Sequence, residues 1–316
     1  MMKMNLETYM GIEKWIMQNG RQLEICLWKY FFKDGSQNDV LNILALYQNE
    51  DGGFGQALEP DNWNPHSTPS TTLFALNILK SIGYSDISNE IYQGIIKYLS
   101  SGNNMTEYGW MFSIPSNDDF PHAPWWGYNE EANIIESVGI TAELSAFILR
   151  YVDSQSEVYQ TAMTFARKLI DKMMTEDNHG DMGVSGYIAL VDTIEELKLK
   201  DFDYDGMAKR ISVLVTKGIE HDVSKWKYYG YRPSDYILSP ESIYYAANKD
   251  MVDVELEYLI ETKPEKNVWP ITWTWFDNTE KYSKEFAVSE VRWKAIKAIE
   301  KMRFLKKFDR LCLLKE

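Results

Sequence analysis

The stretch from residue 41 to residue 83 constrains the fold of this chain more than any other. It reads LNILALYQNEDGGFGQALEPDNWNPHSTPSTTLFALNILKSIG, in which a first apolar periodic segment ends at Asp51-Gly52-Gly53-Phe54-Gly55. Glycine adopts backbone angles that other residues resist, so a helix is expected to end there. A second helix is expected after Ser67-Thr68-Pro69, because a hydroxyl residue caps a helix and proline is tolerated in its first turn. The stretch therefore predicts a helix, a corner, a long loop and a second helix.

Helical periodicity recurs along the rest of the chain, between corners that are rich in glycine and aromatic residues. Helices are predicted over residues 6–19, 21–33, 87–99, 134–152, 158–174, 184–199, 207–219, 254–260 and 288–302, with a further one starting at Ser239. Strand signals are weak, and residues 271–275 are the best candidate for a short extended piece. About eleven or twelve helices are expected in all, so the fold class is all-α.

Composition excludes several classes of protein. The 316 residues fit one domain spanning 1–316, and the net charge of -14 argues against nucleic-acid binding, which needs a positive surface. Cys26 and Cys312 have no spacing typical of a disulfide framework or a zinc site, which favours a reducing cytoplasm. No apolar run approaches the ~20 residues of a membrane span, and the first residues lack the apolar core of a signal peptide. The oligomeric state and any cofactor stay unknown at this level.

The segment Gln48-Asn49-Glu50-Asp51-Gly52-Gly53-Phe54-Gly55 resembles the Q-x-x-D-G-[GS]-[FW]-G repeat of squalene and hopene cyclases and of protein prenyltransferase β subunits. This resemblance implies an (α/α)6 toroid, the helical barrel of the terpenoid cyclase and prenyltransferase type. In that superfamily the repeat is structural, because its glutamine and its aromatic ring tie neighbouring helical hairpins together. The chain lacks the D-x-D-D acid of the cyclases, and its cysteines do not match the zinc ligands of the prenyltransferases.

The loop that precedes the second helix carries the first candidate site. It places Glu59 and Asp61 close to Trp63 and His66. In a toroid the ends of the inner helices face the central pocket, so the two carboxylates are candidates for acid–base catalysis or for contacts with a polar substrate. The alternative is structural, with Asp61 capping a turn and Glu59 solvated.

A second candidate site lies in the long loop from residue 103 to residue 131. Asp118 and Asp119 are further candidate catalytic carboxylates, and with His122 they have the ligand types of a divalent-cation site. Adjacent aspartates are more often turn residues, and no metal is assigned. The aromatic side chains of the loop offer flat faces to a sugar ring or an isoprenoid chain, or they pack the loop onto the fold. These substrate-binding candidates are Trp110, Trp125, Trp126 and Tyr128.

The last third of the chain adds a third set of candidates. Tyr229 and Arg232 follow an aromatic corner, where Arg232 would pair a ligand carboxylate or phosphate or form an ordinary ion pair. Trp273 and Trp275 would share one face if the segment were extended. The basic run from Lys294 to Lys307 is interpreted as a solvated helix face.

Three functions fit these observations. The first is a cytoplasmic toroid protein with an acidic, aromatic-lined central pocket that acts on an isoprenoid or another small substrate. The second is a carbohydrate-active (α/α)6 enzyme, a glycosidase or lyase, whose paired carboxylates would stand ~5 to 9.5 Å apart. The third is a non-catalytic scaffold that binds a partner through its rim.

Overall fold

The computed structural model describes residues 2–263 and 268–312. It contains thirteen α-helices in these ranges, of which eleven have eight or more residues, so the predicted all-α class is confirmed. The helices are α1 Leu6–Asn19, α2 Gln22–Phe32, α3 Gln37–Leu44, α4 Pro69–Ser81, α5 Glu90–Ser100, α6 Glu130–Tyr151, α7 Glu157–Thr175, α8 Gly183–Glu196, α9 Tyr204–Gly218, α10 Pro233–Tyr236, α11 Tyr245–Glu261, α12 Asp277–Lys281 and α13 Ser283–Lys307.

The best sequence candidate for a short extended piece, residues 271–275, is not a strand in the structure. The described residues hold one two-stranded antiparallel sheet, β1 Met105–Thr106 with β2 Gly109–Trp110. Residues 271–275 contain no strand, since they run as an irregular segment into the first turn of α12. Side-chain patterning located the long helices well because each buries an apolar face, but it carries no information about two-residue strand pairs.

Side-chain caps explain where several helices begin. Thr68 Oγ1 accepts from the Thr71 backbone N–H at 2.9 Å, and Pro69 occupies the first turn of α4, as the sequence predicts. The helix expected to start at Ser239 begins instead at Tyr245, because residues 239–244 form turns. The hydroxyl and carboxylate pattern at Ser239 is as compatible with a turn as with a cap, which is the physical reason for the error.

Hydrogen bonds from Gln48 and a close backbone approach at Gly52 fix the glycine-rich corner. Gln48 Nε2 donates to the Gly52 carbonyl at 2.8 Å and to the Ile91 carbonyl in α5 at 2.9 Å. Gly52 has φ +94°, and a Cβ on it would lie 2.1 Å from the Gly94 carbonyl oxygen. Phe54 is fully buried. Through its bond to the Ile91 carbonyl, the glutamine ties the corner to α5.

The chain divides into two compact units, each discontinuous in sequence. Unit 1 comprises Met1–Leu44, Val215–Thr274 and Ser283–Glu316, and unit 2 comprises Ala45–Leu214 and Trp275–Tyr282. The single domain expected over residues 1–316 stays a prediction.

Unit 1 brings the two ends of the described chain together. Met4 N donates to the Arg310 carbonyl at 2.8 Å, and Cys312 N donates to the Met4 carbonyl at 2.9 Å. Trp28 of α2 is fully buried and packs against Tyr9 of α1, with ring centroids 5.5 Å apart. Helices α1, α2, α3, α11 and α13 supply most of its core.

Unit 2 is built around α6, which packs against α4, α7, α8 and β2. Two glycines let α6 and α8 approach closely, since a Cβ on Gly186 would lie 2.5 Å from the Gly139 carbonyl oxygen. Most of α6 from Ser137 to Leu149 is buried. The long loops before α4 and α6 carry most of the predicted site residues.

Candidate functional site

Two loops of unit 2, residues 56–66 and 111–128, are joined through their main chains. They contain most of the predicted site residues, and an isolated antiparallel bridge pairs Asn62 with His122. The sequence offered no sign of this pairing, since it joins segments about sixty residues apart through backbone atoms that every residue shares. Its main-chain hydrogen bonds are Trp63 N to Pro121 O at 3.0 Å and Ala123 N to Asp61 O at 2.8 Å.

Three buried asparagines fix the two loops further. Asn64 Nδ2 donates to Asn117 Oδ1 at 2.9 Å, and Asn62 Nδ2 donates to the same oxygen at 3.3 Å. Asn117 Nδ2 in turn donates to the Trp126 carbonyl at 2.8 Å. All three side chains are almost fully buried. Buried amides that satisfy one another hold a loop in one conformation, so this region is preorganised.

Glu59 and Asp61 are both buried, at 5% and 2% exposure. Asp61 Oδ1 accepts a 2.7 Å hydrogen bond from the indole Nε1 of Trp275, which is itself fully buried. A buried carboxylate costs free energy unless hydrogen bonds compensate it, and the indole supplies one such bond. The acid–base roles of Glu59 and Asp61 stay predictions.

Asp118, Asp119 and His122 lie at the outer side of the second loop. Asp119 is exposed, and Asp118 Oδ1 accepts from the Tyr128 backbone N–H at 2.9 Å. His122 Nδ1 donates to the Phe120 carbonyl at 2.7 Å, so its Nδ1 carries a proton, and its Nε2 lies 3.8 Å from Asp118 Oδ1. No cluster of three or more His, Cys, Asp or Glu side chains suited to a metal occurs among the described residues.

The predicted aromatic binding residues of unit 2 mostly pack the loops. Trp126 stacks on Phe112 with centroids 4.6 Å apart, and fully buried Trp110 meets Phe165 edge-on at 5.6 Å. Trp63 Nε1 donates to the Pro60 carbonyl at 3.0 Å. Trp125 and Tyr128 are half-buried. One predicted residue, His66, lines the open polar cleft of unit 2, and the others of this unit do not.

In unit 1, Arg232 lies between aromatic rings. Its guanidinium carbon is 5.6 Å from the ring centroid of Trp226 and 5.4 Å from that of Tyr258, within the range of cation–π attraction. Arg232 also donates to the Trp226 carbonyl, and its backbone N–H donates to Asp235 Oδ2 at 2.7 Å. These contacts hold the guanidinium in a fixed position.

Helix α13 presents two more cations next to rings. Lys297 Nζ lies 5.8 Å from the ring centroid of Trp293, and Lys301 Nζ lies 5.3 Å from that of Trp269. We call the following set the aromatic-cation cluster: Arg232, Lys297, Lys301, Trp226, Tyr258, Trp269 and Trp293.

Trp273 adjoins the cluster. Its ring meets Trp293 edge-on at 5.4 Å and Tyr229 edge-on at 6.2 Å. Trp275 is fully buried and donates to Asp61, whereas Trp273 packs on Trp293. The segment that carries the two tryptophans is not a strand, so side chains two apart need not align.

The cations of the cluster repel one another. Burial, followed by the positive charges of Arg232 and Lys297, lowers the pKa of Lys301 to about 7. The Lys301 ammonium makes no hydrogen bond or close ion pair with the described residues, and it lies over the Trp269 ring. A half-buried cation with other cations beside it and no close counter-ion is an unfavourable arrangement in the free protein.

The nearby carboxylates are already engaged. Glu300 Oε2 accepts from Lys297 Nζ at 2.8 Å. Glu255 is buried, and its two oxygens accept from the Ser234 backbone N–H at 2.8 Å and from its hydroxyl at 2.7 Å. Burial raises the pKa of Glu255 to about 7, although the bonds from Ser234 oppose this shift. At neutral pH Glu255 therefore carries only part of a negative charge.

The lysines of the cluster were misinterpreted from the sequence. Lys297 and Lys301 are half-buried, so the run from Lys294 to Lys307 is not a uniformly solvated face. A usable signal was present, because Trp293, Lys297 and Lys301 follow each other at four-residue spacing and so lie on one side of α13. No comparable signal placed Trp226, Tyr258 and Trp269 beside them.

Unit 2 contains two other buried polar groups that the sequence did not indicate. His179 is 5% exposed, neither ring nitrogen has a hydrogen-bond partner among the described residues, and its ring meets Tyr187 edge-on at 5.2 Å. Separately, Lys80 of α4 interacts electrostatically with Glu143 of α6 and Asp192 of α8, and burial raises the pKa of both carboxyl groups.

In comparisons with family models, curated proteins and solved structures, nothing matches this chain. One helix of the described residues, Glu130–Tyr151, is long and apolar enough to cross a membrane, and 72% of its apolar window is buried inside the structure. Its burial is that of a core helix.

Proposed function

We propose that the aromatic-cation cluster of unit 1 binds a small organic molecule that carries an anionic group next to an apolar, unsaturated part. An isoprenoid diphosphate is the ligand class that combines both features. The observation that carries this proposal is the grouping of Arg232, Lys297 and Lys301 in a chain whose net charge is -14, where no described carboxylate forms a close ion pair with Lys301.

An anion at this position would relieve the repulsion among the three cations. Charge-assisted hydrogen bonds from arginine and lysine to phosphate oxygens are short and strong, and arginine matches phosphate geometry with two donors. The neighbouring carboxylates compete weakly, because Glu300 is paired with Lys297 and Glu255 is bound by Ser234. The acidic pocket expected from the sequence would have the opposite charge, and it stays a prediction.

The aromatic rings support the apolar, unsaturated part of the proposed ligand. Trp226, Trp269 and Trp293 each lie next to one of the cations, and half-buried Trp273 packs on Trp293. Flat apolar ring faces beside a charged group suit an unsaturated hydrocarbon chain. The rings lose little conformational entropy when they contact such a chain.

We extend the proposal to the type of all-α fold and to the location of the protein in the cell. We infer an (α/α)6 toroid of the terpenoid cyclase and prenyltransferase type, supported by the eleven longer helices and by the contacts of Gln48 and Gly52 in the corner. A cytoplasmic location is supported by two free cysteines, half-buried Cys26 and exposed Cys312.

The test is calorimetric titration of the protein with geranyl diphosphate, inorganic diphosphate and geraniol. We expect the diphosphate ester to bind more tightly than either part alone. Because a bound anion favours the charged ammonium, binding above pH 7 should take up a proton at Lys301, whose pKa in the free protein is about 7. The measured enthalpy would then depend on the ionisation enthalpy of the buffer.

Lys301→Gln removes the central cation, and Lys307→Gln, at an exposed position on the same helix, is the matched control. The first should weaken binding by about tenfold or more, and the second should leave it unchanged. Absence of binding by both diphosphates, or equal binding by the two variants, would show the proposal to be wrong.

A further inference from the structure

Unit 2 carries an open cleft to which the two loops described above contribute His66 and Ser116. It has a volume of about 510 Å³, and nine of the ten described residues that line it are polar. Among the described residues no lysine or arginine lines the cleft, whereas asparagine, serine, histidine and tyrosine do. A volume of this size falls within the ~300–1,000 Å³ of small-molecule sites.

The floor of the cleft is fixed by hydrogen bonds between its own lining residues. Asn49 Nδ2 donates to Ser67 Oγ at 3.0 Å, and Ser67 Oγ donates to Asp51 Oδ1 at 2.6 Å. Buried Tyr98 accepts from Asn104 Nδ2 at 3.1 Å. Asn49 and Asp51 belong to the glycine-rich corner and Tyr98 to α5, which the Gln48 contacts join, while Ser67 precedes α4 and Asn104 follows α5. The cleft is therefore preorganised, and a ligand would not have to order it.

The rim carries polar groups whose hydrogen-bonding capacity is unused. The Asn103 amide and the His66 ring nitrogens make no side-chain hydrogen bond with the described residues. Ser116 Oγ accepts from Asn64 Nδ2 at 2.9 Å and keeps its own proton to donate. The opening therefore offers both donors and acceptors to a ligand.

We propose that this cleft binds a neutral, polyhydroxylated ligand of the size of a disaccharide. Each hydroxyl of such a ligand both donates and accepts, which matches amides, hydroxyls and imidazole better than it matches a row of like charges. Glu50 and Asp51 would repel an anion, and one Asp51 oxygen is already held by Ser67 and by the Gly53 N–H. The site is independent of the aromatic-cation cluster, so either proposal can fail alone.

The test is saturation-transfer NMR and calorimetric titration of the full chain with maltose, cellobiose and N,N′-diacetylchitobiose. At least one disaccharide should bind with a dissociation constant in the millimolar range or below. Asn103→Ala combined with His66→Ala should weaken that binding by about tenfold or more, because the two changes remove rim donors without touching the hydrogen-bonded floor.

The melting temperature of the double variant should stay close to that of the parent, since both side chains are exposed and make no hydrogen bond with the described residues. The ring contact that is lost is the edge-on one between His66 and Phe120, with centroids 5.8 Å apart. Asn42→Ala, at an exposed asparagine of α3, is the matched control and should bind the disaccharide normally. Absence of binding by all three disaccharides, or binding that the double variant retains in full, would overturn the proposal.

Discussion

The indole Nε1 of Trp275 donates a 2.7 Å hydrogen bond to Asp61 Oδ1, and the two residues lie 214 positions apart in the chain. Both side chains are buried. The contact joins the first predicted catalytic loop to the segment before α12, and it gives Asp61 a structural role that can be measured separately from any chemistry.

Asp61→Ala should destabilise the protein by about 1–3 kcal/mol or more, because it leaves a buried indole N–H without its acceptor. Trp275→Phe removes the donor, so a double-mutant cycle in urea unfolding should give a coupling free energy of about 0.5 kcal/mol or more between the two sites. Asp61→Asn keeps an oxygen at Oδ1 and should cost less than Asp61→Ala. Strictly additive effects of the two changes would contradict the contact.

Gly52→Ala should destabilise the corner severely, by more than about 3 kcal/mol, because the strained backbone angle and a backbone overlap add together. The new Cβ would lie 2.1 Å from the Gly94 carbonyl oxygen at φ +94°. Gly83→Ala is a matched control, with φ +66° and nothing within 4 Å of its Cβ, so it should cost only the angular strain of about 1–2 kcal/mol. Equal losses of unfolding free energy in the two variants would refute this account.

Glu255→Gln should change how stability depends on pH. The folded pKa of Glu255 is about 7, above the ordinary 4.5, so the folded state holds a proton that the unfolded state has lost. Its contribution is complete below pH 4.5 and is lost as the pH rises through 7, by about 2–4 kcal/mol in total. The glutamine variant cannot ionise and should lack this decline.

The measurement is urea unfolding across that pH range, reported as the difference between parent and variant. Glu257→Gln, at an exposed position on the same helix, should give a curve parallel to that of the parent. A Glu255→Gln curve parallel to the parent would mean that Glu255 is charged throughout.

His179 should make the protein less stable as the solution becomes acidic. Burial, and then the charge of Arg210, lower the folded pKa of His179 below its ordinary 6.5. The unfolded state therefore binds a proton first, and stability that is complete above pH 6.5 is lost as the pH falls towards the folded pKa. NMR titration of the His179 imidazole signals should show a midpoint below the ordinary 6.5. A His179 signal that titrates at pH 6.5 or above would disprove the burial effect.

The sequence located most of the helical architecture. The glycine corner at Asp51 and the Thr68-Pro69 start of α4 were predicted because capping, glycine and proline act on adjacent residues. Long amphipathic helices were also found, since each buries its own apolar face. The short α10 and α12 and the β1–β2 pair were missed, because segments of two to five residues are too short to show a periodicity of apolar side chains.

The surroundings of the candidate site residues depended far more on the tertiary fold than on the local sequence. The residue types at Glu59, Asp61, Asp118 and Arg232 are visible in the sequence, but their surroundings are not. Asp61 accepts a hydrogen bond from the indole of Trp275, and the charge of Arg232 acts on Lys301 of α13, between segments far apart in sequence. Charge and burial at a site are sums over such neighbours, so the sign of its electrostatic field cannot be read from a local motif.

What the sequence by itself determined is the all-α class and the conformation of the Gln48–Gly55 corner, because both follow from local backbone preferences and apolar spacing. What only the tertiary structure decided is which polar side chains are buried, which are paired and which cations share a neighbourhood. Hydrogen bonding and desolvation act between atoms that the folded chain brings within a few ångströms, whatever their separation along the sequence.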